Sequence, residues 1–233
     1  RSTSIEIVLL TSPAANERKM MPAPAARKKT IQFEDVEEQS DNTIETEGRD
    51  RTPTKDLLEQ AAKSDITLCL EVVNRYETNI CNTAAQGVEM CKLVDSPNVK
   101  VHLDVYHMNI EESDVPSAII EAGPHIGYFH TGDSHRGYLG TGSIDLQSVF
   151  RALVRAKYEG PISFESFSSR VVNQPLEGIL AIWRNLWDDG YDLATHALMY
   201  TKVQLKAAQE VAELFGGKSK IVRHLSGCKD AND

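Results

Sequence analysis

Four residues of this sequence have the types and the placement to do chemistry together: Glu71, Asp104, His130 and Glu165. Each stands at the C-terminal end of a short apolar run: Ile66–Leu70 before Glu71, Val99–Leu103 before Asp104, Ile126–Phe129 before His130, and Pro161–Phe164 before Glu165. Three carboxylates with one imidazole and no thiolate suit a hard or borderline divalent ion such as Mn²⁺, Co²⁺ or Mg²⁺, and argue against a structural zinc site. A second polar residue comes a few positions after three of them: Glu77, His107 and Arg136. These are expected just above the ion, where a polyhydroxylated substrate could hydrogen-bond. Taken singly, each Asp or Glu also reads as an ordinary strand-end or capping residue, and His130 as a core histidine. The common phase of all four is what points to one site.

The elements that must hold them come from the same pattern. A short apolar run is how a parallel strand buried on both faces reads. The four chemical positions recur 33, 26 and 35 residues apart, a spacing that suits one strand–helix unit each. Helices are expected at Lys55–Lys63, Asn82–Val94, about Asp114–Ala122, Asp145–Ala156, Pro175–Trp187 and Asp192–Phe215, alternating with strands at Ile66–Val72, Val99–Asp104, Ile126–His130 and Pro161–Glu165. Strand alternating with helix is the signature of βα units on a parallel sheet. In a β/α barrel the chemistry sits where the strands end.

Residues 1–53 read differently. Ile5–Leu10 is a strand candidate, but Pro13, Pro22 and Pro24 break any period in the residues after it. From Phe33 to Asp50 there are eight acidic residues against one arginine. Such a segment buries too little apolar surface to offset its ordering entropy and is expected to be irregular or disordered. The division is therefore 1–53, an irregular N-terminal segment; 54–215, the β/α domain; and 216–233, a polar tail.

The formal charge of −9 argues against a nucleic-acid partner, which calls for a basic face. No apolar stretch approaches the ~18–20 residues that span a bilayer, and residues 1–10 lack the order of a secretory signal. The four cysteines, Cys69, Cys81, Cys91 and Cys228, form no CxxC pair and read as free thiols of a reducing, cytoplasmic compartment. Asp133 and His135 read as solvated loop residues. The Gly137, Gly140, Gly142 stretch reads as a flexible loop that positions Arg136. Trp183 and Trp187, four apart, read as core packing.

Taken together, Leu70-Glu71-Val72-Val73-Asn74-Arg75-Tyr76-Glu77, Leu103-Asp104-Val105-Tyr106-His107-Met108-Asn109, the run from His130 through Arg136 to Gly140, and Phe164-Glu165 resemble the D-tagatose/D-psicose 3-epimerase family of the xylose isomerase-like TIM barrels. Ile182–Trp187 is similar to that family's final helical region. The resemblance covers about residues 54–215. It implies an α/β fold of TIM-barrel type in which only the C-terminal four βα units are represented. It implies that Glu71, Asp104, His130 and Glu165 bind the metal, that Glu71 and Glu165 are the catalytic acid/base pair, and that Glu77, His107 and Arg136 hold the O1/O2 end of the sugar. The implied activity is that of an isomerase, inverting C3 of a free ketohexose through a metal-stabilised enediolate. Inversion needs proton removal on one face and delivery on the other, hence two carboxylates. A related aldose–ketose or hydroxypyruvate isomerase, or a half-barrel that only binds or assembles, would carry the same residues. A four-stranded half-barrel exposes edges and an apolar inner face, so a homo-oligomer is expected.

Overall fold

The computed structural model of the chain describes residues 4–11, 27–32 and 52–216. They form one six-stranded sheet in the order β2-β1-β3-β4-β5-β6. The strands are β1 (Ser4–Thr11), β2 (Arg27–Gln32), β3 (Ile66–Val72), β4 (Val99–Asp104), β5 (Ile126–Thr131) and β6 (Ile162–Phe164). β3 to β6 are parallel, each to the next. β1 is antiparallel to both β2 and β3. The helices are α1 (Thr52–Lys63), α2 (Ala84–Val94), α3 (Val105–Glu111), α4 (Val115–Ala122), α5 (Leu146–Arg155), α6 (Leu176–Ile179) and α7 (Gly190–Gly216).

The period of two along each strand divides the sheet into a helix-covered face and a chemical face. Val72, Val101, Leu103 and Phe129 join Val88, Cys91, Ile119, Phe150 and Leu153 in one buried core. The alternate positions carry Glu71, His102, Asp104, Tyr128 and His130. Side chains on both faces are buried, which is why these strands lack a simple polar/apolar alternation.

The parallel register has one irregularity, and it matters for the site. Val101 pairs with Ile126 but His102 pairs with Tyr128, so β5 advances two residues for one on β4. The extra residue is Gly127. A Cβ there would stand 2.5 Å from Lys100 Cβ and 2.7 Å from Cys69 Sγ. Only glycine leaves that space, and the bulge sets His130 directly opposite Asp104.

Helix ends are fixed locally. Thr83 and Gln86 close a capping box on α2, Asp114 caps α4 and Asp145 caps α5 through Ser148. Cys69, Cys81 and Cys91 are free and buried, as expected; burial pushes the Cys69 thiol up to about 12. Cys228 and the 216–233 tail lie, but for Gly216, outside the described residues, as do residues 12–26 between the first two strands and the whole acidic run, residues 33–50. Among the described residues no helix is long and apolar enough to cross a membrane.

Three expectations need correction. Within the segment expected to be irregular, Arg27–Gln32 forms a strand. Its composition, Arg-Lys-Lys-Thr-Ile-Gln, carries no hydrophobic period, because an outer strand is held by backbone pairing and tolerates charge. The helix expected at Pro175–Trp187 is a single turn, Leu176–Ile179, after which Ala181 adopts a left-handed backbone (φ 54°) that breaks it. Trp183 is accordingly 68% exposed rather than packed in the core, while Trp187 is half-buried and donates its indole N–H to Ser166 Oγ at 2.7 Å.

Candidate active site

Glu71 sits one residue before the end of β3, His130 one before the end of β5, Asp104 at the last position of β4, and Glu165 just past β6. One ligand atom from each of the four lies within 4.8 Å of all the others. Glu71, Asp104 and His130 are buried and Glu165 is half-buried. The four strand ends converge.

Asp104 has two tasks. Its Oδ1 accepts the Tyr106 backbone N–H at 2.8 Å, capping α3, while Oδ2 accepts from Arg136 Nη1 at 2.9 Å. Burial works to raise this carboxyl. The pull of Arg136, with His130 and His107, outweighs it and holds Asp104 well below the usual carboxylate range. The helix it starts was not expected from the sequence, since only seven residues separate β4 from Glu112. That helix brings His107 back over the strand end.

Arg136 also pairs with Glu165 Oε2 at 3.2 Å, and its guanidinium lies 3.9 Å from the centre of the Tyr106 ring. Its backbone is left-handed (φ 62°). The loop that imposes this conformation is not a solvated tether. Asp133 is fully buried and accepts the N–H groups of Ser134 and Gly140, each at 2.8 Å. The half-buried His135 accepts from Gly137 N–H at 2.9 Å. Tyr138 donates to Asp192 and His196 donates to the Leu139 carbonyl, pinning the loop to α7. Gly140 takes φ 81°, and a Cβ there would meet the Tyr200 ring at 2.5 Å. Asp133 and His135 are therefore structural supports of Arg136, and the loop is braced.

Glu71, Glu77, His107, Arg136 and Glu165 share the wall of one cavity of about 250 Å³, which Tyr106, Phe167, Leu176, Leu180 and Ile182 also line. That is close to the lower end of the range for small-ligand pockets, roughly 300 Å³. All seven residues expected from the sequence thus gather around one point. Three more were not foreseen. Asn74, buried, donates from Nδ2 to Glu77 Oε1 at 2.8 Å and lies 2.7 Å from His107 Nδ1. His102, buried at the strand centre, has Nδ1 3.5 Å from Glu71 Oε2. Tyr106 stacks on Arg136. The sequence signal for each was its place within two or three residues of a predicted ligand.

Do these residues fit a metal ion? His130 Nδ1 is buried without a hydrogen bond among the described residues, yet stands 3.8 Å from Asp104 Oδ2 and 3.9 Å from Glu165 Oε2. Those gaps are too long for hydrogen bonds. Two metal–ligand bonds of roughly 2.0–2.3 Å span them. Three carboxylates beside one guanidinium also give the cluster a net negative charge that a cation would balance. The donor set fits, and the cluster could hold one ion.

Fold and site together place the chain, which belongs to the xylose isomerase-like TIM barrel family: that family's model matches residues 29–190. Among known proteins it is 52% identical over 146 residues to the L-ribulose 3-epimerase of Methylomonas sp. (strain DH-1), covering 63% of this chain and 51% of that protein. It is 48% identical over 155 residues to the ketose 3-epimerase of Arthrobacter globiformis, covering 66% and 54%. A solved structure of an L-ribulose 3-epimerase superposes with a TM-score of 0.69 at 47% identity, covering 72% of this chain and 56% of that one. The chain spans about half the length of the curated relatives it matches.

Proposed function

We propose that the protein is a metal-dependent ketose 3-epimerase. The observation that carries this reading is the convergence of Glu71, Asp104, His130 and Glu165 within 4.8 Å, beside a cavity that Glu77, His107 and Arg136 also line. The relatives named above, epimerases acting at C3 of a ketose, support it.

Glu71, Asp104, His130 and Glu165 would hold a divalent ion, Mn²⁺ by preference, with Co²⁺ or Mg²⁺ as substitutes. When bound, the ion supplies Lewis-acid stabilisation of the negative charge that develops on the sugar. The chain's own groups do the rest. A proton α to a ketone leaves only if a base is placed against it and the charge it leaves behind is met. Glu71 and Glu165, from strands separated by β4 and β5, take the roles of base and acid on the two faces of C3. Arg136 brings a fixed positive charge to the O1/O2 end, already oriented by Asp104 and Glu165, and His107 stands beside it. Glu77 accepts from a sugar hydroxyl. Phe167, Leu180 and Ile182 limit the entry of water.

Substrates expected are free ketoses: D-fructose, D-tagatose or D-psicose, with L-ribulose suggested by the names of the relatives. The reading retains self-association, because β2 and β6 each have one strand neighbour only among the described residues. The experiment is incubation of the full chain, loaded with Mn²⁺, with each sugar in D₂O. A C3 epimer carrying solvent deuterium at C3 is expected, and Glu165→Gln is expected to abolish it while leaving the fold intact. An aldose product would move the reading to an aldose–ketose isomerase. Metal binding with no product from any sugar would make the chain a binding module.

A further inference from the structure

Asn74 belongs to none of the roles above, yet it touches two of the residues that carry them. It is 1% exposed, in the turn after β3. Its Oδ1 accepts the Tyr76 N–H at 2.9 Å, which fixes the amide the right way round. Nδ2 is then the atom facing Glu77 Oε1 at 2.8 Å and His107 Nδ1 at 2.7 Å. The backbone N–H of Asn74 donates to the same His107 nitrogen at 3.2 Å. The turn is tied down independently: the Arg75 guanidinium and backbone N–H both donate to Glu111, at the end of α3.

Two donors on one imidazole nitrogen leave no room for a proton there. His107 Nδ1 is an acceptor, so the ring proton sits on Nε2. Nε2 stands 3.4 Å from Arg136 Nη2. An arginine cannot accept a hydrogen bond, so this pair is not bonded to itself: both atoms are donors, side by side on the cavity wall.

We infer that Asn74 is a positioning residue: it fixes His107 as the Nε2–H tautomer, so that His107 and Arg136 present two converging donors to a single oxygen of the substrate. Two such donors strengthen as that oxygen gains negative charge, which is the condition for lowering a barrier rather than merely binding. The opposite tautomer would aim a lone pair at the same oxygen. This inference rests on the epimerase reading for the identity of the oxygen, but the tautomer itself does not.

The test is ¹⁵N NMR of the full, Mg²⁺-loaded chain labelled at its histidines, with the His107 signals identified by their loss in His107→Gln. Nδ1 is expected in the unprotonated range and Nε2 in the protonated range. In Asn74→Asp the carboxylate can only accept, and the pattern is expected to reverse. With Mn²⁺ content unchanged, kcat/KM of that variant is expected to fall by roughly a hundredfold, the effect of losing one oxyanion donor. A proton on Nδ1 in the unsubstituted chain overturns the inference, and so does an unchanged tautomer in Asn74→Asp. If no ketose is turned over but the tautomer and its reversal are as stated, the epimerase reading fails while the role of Asn74 in setting His107 stands.

Discussion

Replacing Gly127 with alanine tests how the sheet sets the geometry of the site. The added Cβ would lie 2.5 Å from Lys100 Cβ and 2.7 Å from Cys69 Sγ, contacts that real methyl groups do not make. Lys100 Cβ is bonded to the backbone of β4, and Cys69 is fully buried on β3, so neither can swing aside as a side-chain tip would. The strands must part. Overpacking of this kind costs about 1–3 kcal/mol. For a chain of this size each kcal/mol lowers the melting temperature by roughly 2–4 °C, so a fall of about 2–12 °C is expected by circular dichroism. Gly127 is also the residue that sets His130 opposite Asp104, so Mn²⁺ affinity measured by titration calorimetry should fall with it. A variant that melts within about 1 °C of the parent and binds Mn²⁺ as tightly would refute the reasoning that the bulge needs glycine.

Three further outcomes rest on particular contacts. Thr83→Ala removes one half of the α2 capping box and should cost about 1 kcal/mol in urea unfolding with no change in metal affinity. Arg136→Lys keeps the charge but cannot face Asp104 and Glu165 at once while stacking on Tyr106; kcat/KM should drop by roughly a hundredfold or more, with secondary structure unchanged. Asp145 is held below the usual carboxylate range by the Ser148 hydroxyl and then its backbone N–H. A depressed folded value means stability that is fully present above about pH 4 and is lost as pH falls through that lower value. Asp145→Ala should therefore lower stability at pH 7 and flatten the acid limb of the stability–pH curve.

The chemical positions were legible because each is anchored to a strong local signal, an apolar run ending in a ligand. Glu71, Asp104, His130 and Glu165 could be found without coordinates, and their convergence comes from the parallel order of β3 to β6. What the sequence hid was held by tertiary contacts. Arg27–Gln32 owes its strand to backbone pairing with β1, not to any period of its own. α3 is only seven residues long and starts on Asp104 itself, so a residue read as a ligand was also a helix cap. Asp133 looked like any polar loop residue, but two backbone N–H groups fold onto it. Asn74 lies in the turn after β3, and an amide hydrogen of its side chain reaches a histidine 33 positions away, a contact no local pattern announces.

The central claim is that four strand ends grip one cation. Titration of the metal-free full chain with Mn²⁺, monitored by electron paramagnetic resonance, tests it most directly. One ion per chain is predicted, with binding weakened at least roughly tenfold in Asp104→Asn and in Glu165→Gln, each checked for an intact fold. No bound Mn²⁺, or an affinity that neither substitution changes, would contradict the account.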